Sequence, residues 1–164
     1  MNISRRFSPD VVACARLCAA LERSILADIP LARTMQLRAR RYDGDRLVFT
    51  AALAPNINDK GCAFGGSLTS LMTLVGWGLV KLALNANGRE CDLYVRDSHV
   101  RYLAPVWQDF EAVAVLGKEQ SFAALFDAFD AHGKAGIEVR CHVPLADGGE
   151  AATLEARFVA IARR

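Results

Sequence analysis

The segment from Ser67 to Leu84 constrains the fold more than any other part of the chain, because so little of it suits contact with water. Leu68, Leu71, Met72, Val75, Leu79 and Leu82 recur at intervals of three and four, the period of a helix rather than a strand. Leu74, Trp77 and Val80 fall on the other sides, and Lys81 is the only charged residue. A helix that is apolar nearly all round lies in a core or in a membrane. The hydroxyls of Ser67, Thr69, Ser70 and Thr73 and the charge of Lys81 weaken insertion into lipid. Gly76 and Gly78 let a helix press closely against a sheet. We therefore expect an interior helix and no membrane partner.

The residues leading into this segment, Asn56 to Gly66, are of the opposite character: two asparagines, an aspartate, a lysine and three glycines. The first N–H groups of a helix have no partner within it, and the macrodipole leaves about half a positive charge there. Gly65 and Gly66 would leave those donors uncovered, ready for an oxyanion. The same glycine pair also suits a tight turn.

The remaining elements follow from period and punctuation. Ser8 and Pro9 predict a helix start, and Val11, Cys14, Ala15, Cys18 and Leu21 form one stripe, carrying a helix over about 9–27. Thr34 to Tyr42 and Arg46 to Leu53 flank Asp43-Gly44-Asp45, a hairpin signal. Asp92 to Leu103 and Phe110 to Leu116 read as strands. Ser121 caps a short helix that ends at Gly133, and Gly136 to Leu145 pairs with Ala151 to Ile161 as a last hairpin. The order predicts an α+β fold, a mainly antiparallel sheet wrapped around the apolar helix.

At 164 residues, 52% hydrophobic and 23% charged, the chain is expected to be one domain, 1–164, with its core over 29–161. A net charge of +2 without a basic run argues against a nucleic-acid partner. Five cysteines without CxxC spacing or paired histidines argue against a disulfide framework or a metal site, and fit the cytoplasm.

The string Asn58-x-x-Gly61-x-x-Phe64-Gly65-Gly66 leads into the helix, and Arg101-Tyr102-Leu103-Ala104-Pro105 closes the next strand. With the element order, these resemble the hot-dog-fold thioesterases. The likeness is closest to the thioesterase module that lies C-terminal to an acetyltransferase domain in some bacteria. It runs from about Ile29 to Ile161 and implies a curled sheet around a long central helix, in a homodimer or dimer of dimers. It implies hydrolysis of an acyl thioester of coenzyme A or acyl carrier protein, with coenzyme A entering only as part of the substrate and no other cofactor.

The resemblance also implies roles. Gly65 and Gly66 would hold the carbonyl oxygen, Asn58 would orient water or the carbonyl, and Asn56, Phe64 and Ser67 of the same string would contact substrate. Two departures matter. Phe64 stands where many relatives have histidine, and Thr73 stands where many have a carboxylate, seven residues after the second glycine. A threonine is no base at neutral pH, although its hydroxyl can hold water. Asp59 is then the first candidate base and Asp97 the second, since Asp97 alternates with His99 and Arg101 along one strand face. Each has a plainer reading: Asp59 as a carboxylate favouring the helix dipole, Asp97 as an ion pair. The alternative to a hydrolase is an acyl-CoA-binding or regulatory module that lacks a base.

Overall fold

A computed structural model describes residues 10–163. The elements run α1 (Val11–Asp28), α2 (Pro30–Thr34), β1 (Arg38–Tyr42), β2 (Arg46–Ala51), α3 (Gly65–Ala86), β3 (Cys91–Tyr102), β4 (Phe110–Leu116), α4 (Phe122–His132), β5 (Lys134–Pro144) and β6 (Glu150–Ala162). Ser8 and Pro9 lie outside the described residues; within them Asp10 caps α1, its carboxylate accepting the Val12 N–H at 3.2 Å. The strand expected from Thr34 begins at Arg38, and Thr34 instead ends the short helix α2, which has Pro30 in its first turn. Arg33 folds back onto the last carbonyls of α1, at Leu26 and Ala27, and the positive φ of Gln36 breaks the helix before the strand begins.

The six strands form one sheet in the order β1-β2-β4-β5-β6-β3, every neighbouring pair antiparallel. The sheet curls around α3. Eleven of the 22 residues of α3 are buried, among them Leu71, Met72, Val75, Leu79 and Leu84, which meet Leu47, Phe49, Ala112, Ala114, Cys141, Leu154 and Phe158 of the strands in one core. Close approach needs the two glycines: a Cβ on Gly76 would lie 3.0 Å from Cys141 Sγ and Phe158 Cε2, and one on Gly78 2.9 Å from Leu47 Cδ2. By length and composition α3 is long and apolar enough to cross a membrane, but here 61% of its most apolar stretch is buried inside the protein.

Strand β3 leaves β2 and β4 and crosses to the far edge beside β6, running antiparallel to α3 on its inner side. Two side chains of α3 tie the helix to this edge: Trp77 Nε1 donates to the Leu93 carbonyl and Lys81 Nζ to that of Cys91, each at 3.0 Å. Val95 pairs with Phe158 and Asp97 with Arg157, so Arg96 is an extra residue, a β-bulge. Beyond the bulge the side-chain alternation is inverted. Ser98, Val100 and Tyr102 pair with the buried Ala156, Leu154 and Ala152 and face α3; Asp97, His99 and Arg101 pair with Arg157, Glu155 and Thr153 on the outer face.

Candidate active site

The loop before α3 is a small hairpin of its own. Ile57 and Ala63 form a bridge, the Asn58 N–H donates to the Cys62 carbonyl at 2.8 Å, and the Gly61 N–H to that of Asn58 at 3.1 Å. The turn needs Gly61, whose φ of +84° L side chains avoid. Asn58 is used locally: its Oδ1 accepts the Lys60 N–H at 2.8 Å and its Nδ2 approaches Cys62 Sγ at 3.2 Å. Asp59 occupies the tip, its side chain 79% exposed and held at 2.8 Å by Lys60 Nζ. Asn56 is buried; its Nδ2 donates to the carbonyls of Met35 and Ala52, and its own carbonyl accepts the Phe64 N–H at 2.7 Å. Together with the Ala63 N–H on the Val106 carbonyl, at 2.8 Å, these bonds fix where α3 begins.

The first intrahelical bond runs from the Leu68 N–H to the Phe64 carbonyl at 3.1 Å. The N–H groups of Gly65, Gly66 and Ser67 precede it and have no acceptor among the described residues, so this end carries the uncompensated partial charge of the helix. Two aromatic rings frame it. Phe64, 55% exposed, lies over Gly66, and Tyr102 lies 3.3 Å from where a Gly65 Cβ would be. The Tyr102 hydroxyl donates to the Gly65 carbonyl at 3.2 Å and sits 2.6 Å from Thr69 Oγ1. Tyr102 belongs to the string that closes β3, but nothing in the sequence places it or Thr69 at the glycines; the strand order is what brings the end of β3 to the start of α3.

From this end a half-exposed stripe follows α3 along the edge strand: Gly66, Ser70, Thr73, Trp77 and Lys81. The hydroxyls of Ser67, Ser70 and Thr73 have no hydrogen-bond partner among the described residues. No described carboxylate bonds or pairs with any residue from 64 to 73. Asp97 is on the outer face, 66% exposed, 3.7 Å from Arg96 and five residues from Tyr102, about 16 Å of strand. The structure thus gathers Phe64, Gly65, Gly66, Ser67 and Thr73 along one helix end, but does not bring Asp59 or Asp97 to it. Neither Gly65 nor Gly66 lines the open trough of about 980 Å³ bounded by Arg38, Arg40, Thr50, Trp107 and Glu111. Among the described residues no group of His, Cys, Asp or Glu is arranged to hold a metal ion.

A family model described as "Putative thioesterase (yiiD_Cterm)" matches residues 18–162, which include every element of the helix end just described. The chain belongs to this thioesterase family. Solved structures agree. A protein of unknown function from Chlorobaculum tepidum is 28% identical with a TM-score of 0.85, over 91% of this chain and 96% of that one. A thioesterase from Shewanella oneidensis, itself described as putative, is 29% identical with a TM-score of 0.79, over 90% and 99% of the two chains. A thioesterase from Haemophilus influenzae, 13% identical with a TM-score of 0.69 over 88% and 90%, shares the fold. The curled six-stranded sheet with its central helix is the hot-dog fold of these thioesterases.

Proposed function

We propose that this thioesterase hydrolyses acyl thioesters of coenzyme A or of acyl carrier protein, with the acyl carbonyl at the start of α3. The observation that carries this reading is the pair of unoccupied N–H groups at Gly65 and Gly66 in a chain of this family. Water adds to the carbonyl carbon, the oxygen becomes an anion held by the two amides, the C–S bond breaks, and the thiol leaves with a proton. One such donor removed from a comparable site costs roughly 3 kcal/mol of transition-state stabilisation. The free hydroxyl of Thr73 stands two turns along α3, about 10 Å of helix from the two amides, too far to hold a water that attacks a carbonyl bound at them. Five unpaired, buried cysteines favour a reducing setting such as the cytoplasm.

The wall missing from this site is supplied, in our reading, by a second copy joined along β3. The edge strand carries exposed Tyr94, Val95 and Tyr102 and pairs with β6 on one side only. The bulge at Arg96 makes it self-complementary. With the two-fold axis between Arg96 and Asp97, Leu93 meets Val100 and Val95 meets Ser98 on the inner face. Tyr94 meets His99 on the outer face, and Arg96 lies against Asp97. Without the inverted alternation these pairs would point to opposite faces.

Release of free thiol from a panel of acyl-CoAs and acyl carrier proteins, with Asn58→Ala and Asp59→Ala beside the parent, tests the hydrolase. Absence of turnover across all chain lengths and carriers would overturn it. A second reading, an acyl-binding module without hydrolysis, is favoured by Thr73 and by the distance of both aspartates from the helix end. It predicts that acyl-CoA raises the melting temperature while no thiol appears.

A further inference from the structure

We infer that Tyr102, backed by Thr69, is a positioning residue that strengthens the Gly66 N–H as a donor by bonding to the other end of the same peptide group. The inference rests on the proposed hydrolysis at the start of α3. The carbonyl of Gly65 and the N–H of Gly66 belong to one peptide unit, so a proton placed on that oxygen draws charge from the nitrogen and makes its hydrogen more positive. The Gly65 carbonyl receives two donors: the residue-69 N–H of the helix ladder and, at 3.2 Å, the Tyr102 hydroxyl. With the single Tyr102 proton committed to that oxygen, the 2.6 Å contact with Thr69 runs from the threonine hydroxyl to the tyrosine oxygen. The result is a relay, Thr69 O–H to Tyr102 O–H to Gly65 C=O, that ends in the free Gly66 N–H. Hydrogen bonds in such a chain polarise one another, by roughly 10–30% per bond.

The relay also fixes the plane of the peptide. The Tyr102 ring lies close against Gly65, 3.3 Å from where a Cβ would stand, so the ring and the hydroxyl together keep the first turn from rocking. Thr69 stands one turn further along α3 and holds the phenol in place. Because the fixed and polarised amide matters most when the carbonyl oxygen carries a full negative charge, its effect falls on kcat rather than on KM.

The test compares the full chain with Tyr102→Phe, Thr69→Ala, Thr69→Ser and the double Tyr102→Phe/Thr69→Ala, by acyl-CoA kinetics and by the amide spectrum with ¹⁵N labelling. We expect Tyr102→Phe to lower kcat about ten-fold with KM held within two-fold. Thr69→Ala should lose less, Thr69→Ser should keep the parent rate, and the double variant should be no worse than Tyr102→Phe alone. In Tyr102→Phe the Gly66 amide should move upfield in both dimensions. An unmoved Gly66 resonance overturns the inference, as does an unchanged kcat in Tyr102→Phe of an active parent. Losses that multiply in the double variant also overturn it. If the parent releases no thiol, the hydrolase reading fails and the Gly66 resonance alone still decides the relay. Should Tyr102→Phe not fold, Thr69→Ala against Thr69→Ser gives the same decision.

Discussion

The ring of Phe64 fills the space that a side chain on Gly66 would need: a Cβ on Gly66 would stand 2.3 Å from Phe64 Cε1. Alanine favours helix over glycine by about 1 kcal/mol, and Phe64 is exposed enough to swing aside, so Gly66→Ala should fold with little change in stability. The methyl and the displaced ring would then crowd the two free amides. Thiol release should fall at least ten-fold, in line with losing part of an oxyanion site, and Phe64→Ala in the same chain should restore part of it. Full turnover in Gly66→Ala would remove the amides from the mechanism.

Gly76 and Gly78 present the opposite case, since their neighbours are buried. A methyl on Gly78 would press on Leu47 and Leu21, and one on Gly76 on Cys141 and Phe158. Overpacking of this kind costs about 1–3 kcal/mol. Either alanine variant should lower the midpoint of chemical denaturation by that much, and a parent-like midpoint would show that α3 does not lie as close to the sheet as described.

Trp77 holds the edge strand by one bond, to the Leu93 carbonyl at 3.0 Å. Trp77→Phe keeps most of the packing and removes the donor, for an expected loss of about 1 kcal/mol. Hydrogen exchange should rise in β3 before it rises in β5. Uniform exchange across the sheet would contradict the anchoring role.

His142 should make stability depend on pH on the acid side. Its Nδ1 is buried without a partner, 4.0 Å from Glu150 Oε1, and burial pushes its pKa down, with Arg140 and Arg46 adding to the shift and Glu150 opposing it. The unfolded chain therefore takes up this proton first. Stability should be full above about pH 6.5, the ordinary value, fall as pH drops below it, and level off beneath the depressed folded pKa. His142→Gln should flatten that part of a melting-temperature profile; an unchanged slope between pH 7 and 5 would assign it to other groups.

The register proposed for two copies makes Asp97→Arg a test of assembly. It would set two arginines against each other across the two-fold axis, and the dissociation constant seen by sedimentation should rise at least ten-fold. Arg96→Asp combined with it should restore the parent value. Equal dissociation constants for all three would exclude β3 as the joint.

Much of this fold was legible in sequence because its signals are local. The apolar period of α3, the Asp43-Gly44-Asp45 turn and the Ser121 and Gly133 caps each depend on neighbours within a few residues, and each element formed there. The strand expected from Thr34 begins only at Arg38, because α2 depends on a proline at the helix start and on Arg33 reaching back to α1. Asp97 shows what a strand pattern leaves open. Its alternation with His99 and Arg101 was readable, but not which face the three would take, because a bulge one residue earlier inverts the alternation after Val95.

The amino-acid string alone determined that a buried helix begins at bare glycines, since backbone geometry and hydrophobic period act over a single turn. Only the tertiary structure decided what surrounds that beginning. The crossing of β3 to the far edge brings Tyr102 onto Gly65, and the hairpin turns Asp59 outward to Lys60. Contacts between residues 37 apart in the chain follow from how strands are ordered, and that order is set by the burial of the whole core rather than by any one stretch of it.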